Sequence, residues 1–117
     1  MNPLLILGIP LILIGVTIVG LGAASKAERL PINSIIGIRI PSTMVDNATW
    51  IRSHRAAWAW ICIAGLGLTL AGVLVLATKD ESGLWAMSGT AWLLAFIGIA
   101  TAVASHAARN VTETKNS

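Results

Sequence analysis

The side chains with the greatest capacity for binding chemistry lie together in one stretch of the sequence, residues 31–55. A guanidinium such as that of Arg39 is a planar fork of N–H donors that can bridge a phosphate, a carboxylate or the last carbonyls of a helix. Asn33, Thr43 and His54 can complete a polar cluster around it. Two interpretations are open. Either the cluster pins an irregular segment to the fold, because buried backbone needs partners, or it binds a lipid head group, a peptide or a cytoplasmic protein.

Residues arranged for catalysis or for metal binding are not visible in the sequence. There is no cluster of metal ligands and no pair of carboxylates in a plausible pocket. His54 and Asp46 have the residue types of a base and its orienting acid, but eight residues of helix separate them by about 12 Å, so they cannot touch. The single cysteine, Cys62, lies in an apolar run, where a thiol is usually inert. We therefore expect no enzyme activity, no metal site and no cofactor.

The rest of the chain is unusually apolar. Only 11% of its residues are charged, against about 25% in a typical soluble domain. Residues 1–25, 56–78 and 82–108 carry no charge at all. Each run exceeds the ~20 residues needed to cross a bilayer, and in lipid each must be helical. The sequence thus predicts a single all-α integral membrane domain over residues 1–117, with three transmembrane helices at about 3–24, 56–77 and 85–107.

The first apolar run has a second interpretation, a cleaved signal peptide. Small residues at positions 22–25 would suit a cleavage site. However, no Lys or Arg precedes the run, and the run is longer than the 7–15 residues of a signal-peptide core. We favour a transmembrane helix.

The distribution of basic residues predicts the orientation in the membrane. The segment 25–55 and the tail 108–117 share one side and together hold seven Lys and Arg residues, whereas the opposite side has Lys79 alone. By the positive-inside rule the N-terminus is outside and the C-terminus is cytoplasmic in the plasma membrane. The basic segment can also attract anionic lipid head groups, at about 1 kcal/mol for each Lys or Arg near the surface.

The three spans lack Asp, Glu, Lys and Arg, which argues against a pump, a coupled transporter or a channel for charged substrates. Small residues recur instead at four-residue spacing and allow close helix packing, within the chain, with a partner membrane protein or with a second copy. Trp92 lies deep in the third span, where its indole N–H needs an acceptor such as a carbonyl or hydroxyl on a neighbouring helix. The small-residue sets are Gly20/Ala24, Gly67/Ala71, Gly98/Ala102 and Ala100/Ala104/Ala108.

The segment before the second span is predicted to begin without helix. Pro31 and Pro41 disfavour helix just before them, and Gly37 permits a bend. The isoleucines between the prolines need cover from lipid or from the helices, so we expect a re-entrant or interfacial loop. Asp46 is a good N-cap, and no breaker follows it, which predicts one long helix over residues 47–78.

Two ordered motifs run through this stretch: Asn33-x3-Gly37-Ile38-Arg39-x-Pro41-Ser42-Thr43, and then Trp50-x3-His54-Arg55. In order, spacing and three-span setting they resemble the signature of the SdpI family of small bacterial membrane proteins, which is named after a toxin-immunity protein. The resemblance implies a non-enzymatic immunity or signalling protein that binds a toxin, a lipid or a regulator through residues 31–55, with no nucleic-acid partner. The alternative is an accessory structural subunit of a larger membrane complex. The binding residues implied are Asn33, Gly37, Arg39, Pro41, Thr43, Trp50, His54 and Arg55.

The predicted orientation can be tested by cysteine labelling. On a Cys62→Ser background, an impermeant thiol reagent added to intact cells should label the Ser82→Cys variant and leave the Ser34→Cys and Ser117→Cys variants unlabelled. Labelling of the latter two alone would reverse the topology.

Overall fold

The computed structural model describes residues 2–33 and 35–116, with side chains described as far as Thr114. These residues form three helices and no strand: α1 (Pro3–Lys26), α2 (Asn47–Thr78) and α3 (Leu84–Asn116). All three are long and apolar enough to cross a membrane, as predicted. The long helix predicted over residues 47–78 is confirmed. α3 extends further than its predicted span, because the helix continues into the tail; residue 117 lies outside the described residues.

Side chains next to the helices fix where each helix begins. The Asn2 side chain accepts a hydrogen bond from the Leu4 N–H at 2.9 Å, and the Asp46 carboxylate accepts one from the Thr49 N–H at 2.8 Å, which confirms the predicted N-cap. Before α3, the Asp80 carboxylate accepts the Trp85 N–H at 3.1 Å. The Ser82 hydroxyl and then the Trp85 N–H lower the pKa of Asp80, which keeps this carboxylate ionised at the helix start.

α2 is the central element of the fold. α1 and α3 both pack along it and scarcely touch each other. Accordingly, α2 has the most buried face, with Ala57, Ala64 and Val75 fully covered, whereas only about a tenth of the residues in the apolar parts of α1 and α3 are buried. The helices thus form an open row, and the outward faces are apolar as a bilayer requires.

α1 and α2 approach each other through glycines spaced seven residues apart, two helical turns, which places them on one face. On α1 these are Gly8, Gly15 and Gly22, and on α2 Gly65 and Gly72. A Cβ built on Gly15 would lie 2.6 Å from the Thr69 backbone nitrogen, closer than any real contact. The predicted four-residue pair Gly20/Ala24 does not form this interface, because Gly20 has no neighbouring atom within 4 Å of a built Cβ.

α2 and α3 pack through the predicted alanine run and a tryptophan. Ala100, Ala104 and Ala108 are fully buried. The Trp92 ring lies against Gly67, and its Nε1–H donates to the Ile63 carbonyl at 2.9 Å, which supplies the predicted acceptor on a neighbouring helix. Gly98, by contrast, has no atom within 4 Å of a built Cβ, so the predicted Gly98/Ala102 face points away from the chain's own helices.

The glycine packing predicts a sharp difference between two substitutions on α1. Gly15→Ala forces a Cβ into the α2 backbone and should lower the free energy of unfolding by about 1–3 kcal/mol. Gly20→Ala is the matched control, since it brings the same gain in helix propensity and meets no atom. Thermal unfolding in mild detergent measures both. Equal melting temperatures would contradict the α1–α2 register.

Candidate functional site in the loop between the first two helices

Residues 27–46, here the α1–α2 loop, fold back onto the three helices. The Ile38 side chain is buried against Ala57, Ile61 and the alanines of α3, and Ile40 packs against the same cluster. α1 contributes Ile18 and Leu21 to that cluster, so the loop contacts all three helices. The helices therefore supply the cover expected for two of the isoleucines. Ile35 is 83% exposed and is not covered.

His54 holds the buried part of this loop. Its side chain is fully buried. Nε2 accepts the Ile38 N–H at 2.8 Å, and Nδ1 lies 2.8 Å from the Trp50 carbonyl oxygen. An N–H can only donate and a carbonyl can only accept, so Nδ1 carries the proton and the ring is neutral. The imidazole thus bridges the loop backbone to α2.

The environment of His54 opposes its protonation. His54 precedes Arg55, so it lies outside the uncharged part of α2. Burial lowers its pKa below the ordinary value of 6.5, and the hydrogen bond to the Trp50 carbonyl opposes this only in part. A second proton on Nε2 would also leave the Ile38 N–H without an acceptor. The neutral ring is therefore the form that the fold stabilises.

Trp50 and Gly37 complete the packing around His54. The Trp50 ring is fully buried, its centroid lies 4.2 Å from that of the His54 ring, and its Nε1–H donates to the Leu30 carbonyl at 3.1 Å. Gly37 has φ +108°, and a built Cβ would lie 2.7 Å from Cζ2 of Trp50 and 2.8 Å from Nε2 of His54. Glycine is therefore required here for its backbone conformation and for space.

Thr43 closes the turn that follows the Ile38 segment. Its hydroxyl is fully buried and donates to the Ile38 carbonyl at 2.7 Å, while its oxygen accepts the Ile40 N–H at 3.3 Å. Pro41 begins the turn and is exposed. The neighbouring Ser42 hydroxyl lies 3.4 Å from that of Ser105 and joins the turn to α3.

Two further motif residues form hydrogen bonds away from His54. The Asn33 side chain accepts the Ile35 and Ile36 N–H groups at 2.9 and 2.8 Å, which shapes a local turn. The Arg55 guanidinium donates to the Lys26 carbonyl at the end of α1, at 3.0 Å, and lies 3.7 Å from the Glu28 carboxylate. Arg55 thus ties α1 to α2 at the surface.

Arg39 differs from the other polar motif residues. Its side chain is exposed, and within residues 2–33 and 35–116 it has no hydrogen bond or ion pair. It is not the anchor around which we expected a cluster to form. The structure brings Gly37, Thr43, Trp50 and His54 together, leaves Asn33 and Arg55 outside this group, and exposes Arg39.

Sequence reasoning missed several groups that hold this loop. The Asn47 side chain accepts the Ile32 N–H at 3.0 Å, and the acceptor for Trp50 is a backbone carbonyl, whose position no residue type reveals. In the part of the chain that the structure describes, no three His, Cys, Asp or Glu side chains come together as a metal site would require.

The packing at Gly37 predicts the effect of Gly37→Ala. The added Cβ meets both aromatic rings, so we expect a melting temperature in detergent well below that of the parent. Gly83→Ala is the matched control: Gly83 has φ +82°, and no atom lies within 4 Å of its built Cβ, so this variant carries only the backbone strain. A Gly37→Ala variant as stable as Gly83→Ala would contradict the site geometry.

The buried neutral His54 predicts that stability depends on pH. Its folded-state pKa is below its unfolded value, so the unfolded chain binds more protons, and stability is fully present above about pH 6.5 and falls as the pH drops below that value. The melting temperature between pH 8 and pH 5 should therefore decline in the parent and in His106→Gln, whose imidazole is exposed. His54→Gln should flatten this decline, whatever its own stability. An equal decline in all three proteins would contradict the assignment.

The comparisons with known proteins agree with the motif. Neither the curated proteins nor the solved structures give a significant match to this chain. A family model does match, described as the SdpI/YfhL protein family, over residues 29–107. The match covers more than half of the chain and includes all of the motif residues described above together with α2 and most of α3. With three apolar helices, the chain is a multi-pass membrane protein that belongs to the SdpI/YfhL family.

Proposed function

We propose that this chain is a small, non-enzymatic protein of the bacterial plasma membrane that binds a toxin, lipid or regulatory partner through the α1–α2 loop, in an immunity or signalling role. The observation that carries the proposal is the exposed and unpartnered guanidinium of Arg39 on a loop that is otherwise firmly held. Family membership supports the immunity type of role.

The motif contains buried residues that hold the loop and an exposed residue that is free to bind, and this difference supports a binding surface. Thr43, Trp50 and His54 satisfy their polar groups inside the loop and are fully buried. They act as a scaffold, whereas Arg39 stands outward with all of its donors available. Because the backbone on either side of Arg39 is already held, binding an anionic partner has to order only the arginine side chain, which favours recognition. The motif thus contains both the residues that fix the loop and a residue that can contact a partner.

The charge distribution supports a cytoplasmic position for this surface. Seven of the eight Lys and Arg residues lie at the end of the molecule that carries the loop and the end of α3. We place this end in the cytoplasm and the N-terminus outside, by the positive-inside rule. The partner then meets Arg39 at the inner face of the membrane.

A second function, accessory subunit of a larger membrane complex, is favoured by a different observation. Gly98 and the neighbouring Ala102 are exposed on α3, and nothing lies within 4 Å of a Cβ built at Gly98. A small-residue face of this kind permits close approach by another helix. Purification from native membrane in mild detergent distinguishes the two functions. A stoichiometric partner that is lost in Gly98→Leu and kept in Arg39→Ala supports the subunit role.

A protection assay tests the primary proposal. Cells sensitive to a membrane-active toxin should survive when they express the parent, and Arg39→Ala should lose protection while its level in the membrane and its melting temperature are unchanged. Arg52→Ala is the matched control, because Arg52 is also exposed and has no ion pair among the described residues. Equal protection by the parent, Arg39→Ala and Arg52→Ala would contradict a binding role for Arg39.

A further inference from the structure

Arg39 occupies an unusual place for an arginine without a partner. The residues on either side of it, Ile38 and Ile40, pack into the cluster between the helices, yet the Arg39 side chain is exposed. Among the described residues, the one ion pair joins Arg55 and Glu28. No carboxylate of the described chain pairs with Arg39, so its guanidinium is open to an anion from outside the chain.

The level of Arg39 along the helices indicates where that counter-charge lies. Ile38 packs against Ala57 and Ile61, which follow Arg55 by about 3 and 9 Å along the helix axis. Arg55 is the last charged residue before the uncharged run of α2. The backbone at Arg39 therefore lies where the apolar span begins, at the boundary between acyl chains and head groups. A long cationic side chain at this depth extends toward the phosphates.

The loop that carries Arg39 also has apolar side chains that the helices do not cover. Ile35 is 83% exposed, Val45 is 59% exposed and Ile36 is 47% exposed. Leaving such side chains in water is unfavourable, at about 25 cal/mol for each Å² of apolar surface. Exposed apolar residues beside a cation are the combination that enters a membrane interface. The same end of the molecule has seven basic and three acidic residues, so its field attracts anions.

From these observations we infer that Arg39, together with the exposed Ile35, Ile36 and Val45 of the same loop, forms a binding site for the phosphate of an anionic phospholipid in the cytoplasmic leaflet. The guanidinium fork takes the phosphate oxygens, and the apolar side chains lie against the glycerol and acyl region of the lipid. This inference rests on the proposed function, since it names the ligand class of the same loop, and it commits to a lipid over a protein partner.

Native mass spectrometry of the full chain, released from detergent with added phosphatidylglycerol or phosphatidylcholine, tests the site. The parent should bind phosphatidylglycerol more tightly than phosphatidylcholine. Arg39→Ala should weaken phosphatidylglycerol binding about tenfold, as the loss of a charge-assisted hydrogen bond predicts. Ile35→Asn, which keeps every charge, should also weaken it. Arg52→Ala removes the same charge about 4.5 Å further from the span than Arg55 and should bind nearly as the parent does.

Several outcomes would overturn the inference. Equal losses in Arg39→Ala and Arg52→Ala would mean attraction by net charge alone. Displacement of phosphatidylglycerol by an equal concentration of inorganic phosphate would mean a site for the free anion. Equal binding of the two lipids by the parent would contradict an anionic-lipid site and favour a protein as the partner of the loop surface. If Arg39→Ala unfolds in lipid-free detergent, phosphatidylglycerol binding by Ile35→Asn is compared with that of the parent instead.

The assay contains no toxin, so it separates this inference from the proposed function. Protection that is lost in Arg39→Ala while lipid binding is unchanged contradicts the lipid site and keeps the binding role. Lipid binding that is lost while protection is retained supports the lipid site and contradicts the immunity role of Arg39.

Discussion

The hydrogen bond from the Ile38 N–H to Nε2 of His54 is the interaction on which the arrangement of the loop depends. A backbone amide that is buried beside apolar helices must have an acceptor, because an unpaired one costs about 1–3 kcal/mol. No strand or helix supplies that acceptor at Ile38, so a side chain of α2 does. Once this bond is made, the Ile38 side chain lies among the alanines of α2 and α3. Removing the imidazole therefore affects backbone pairing and packing together.

Several features of the chain follow from the need to keep this bond. The imidazole has to stay neutral, which its burial favours, and the Trp50 carbonyl holds the single proton on Nδ1. Gly37 has to lack a side chain, because the rings of Trp50 and His54 occupy the space where one would lie. Thr43 then accepts and donates on the far side of the same segment. The result is a short irregular segment with its backbone satisfied, and Arg39 extends from it on the opposite side to the packed isoleucines.

Much of this fold could be predicted from the sequence, for physical reasons that act locally. Runs without charge define membrane spans because the cost of a charge in lipid is large, and Asp46 defines a helix start because its carboxylate caps free N–H groups. Trp92 predicted an acceptor on a neighbouring helix, because an indole N–H in lipid needs a hydrogen-bond partner.

What the sequence left open depends on contacts between distant elements. Small residues at four-residue spacing were as visible as glycines at seven-residue spacing, and only the way α1 crosses α2 selects Gly8, Gly15 and Gly22. Because a guanidinium can form many hydrogen bonds, the sequence suggested that Arg39 anchors the loop. The number of donors does not reveal which way the side chain points. The alternation Ile38-Arg39-Ile40 was the available signal. In an extended segment, successive side chains point to opposite sides, so two isoleucines that pack against the helices direct the arginine between them outward.

The protonation state of the His54 ring tests the central claim most directly. Nitrogen-15 NMR of the ring, with the full chain in lipid nanodiscs at pH 7.5, distinguishes a protonated from an unprotonated ring nitrogen. We expect a protonated Nδ1 and an unprotonated Nε2 that shows a hydrogen-bond coupling to the Ile38 amide. A proton on Nε2, or rapid exchange between the two tautomers, would contradict the account, because neither state can hold the Ile38 N–H.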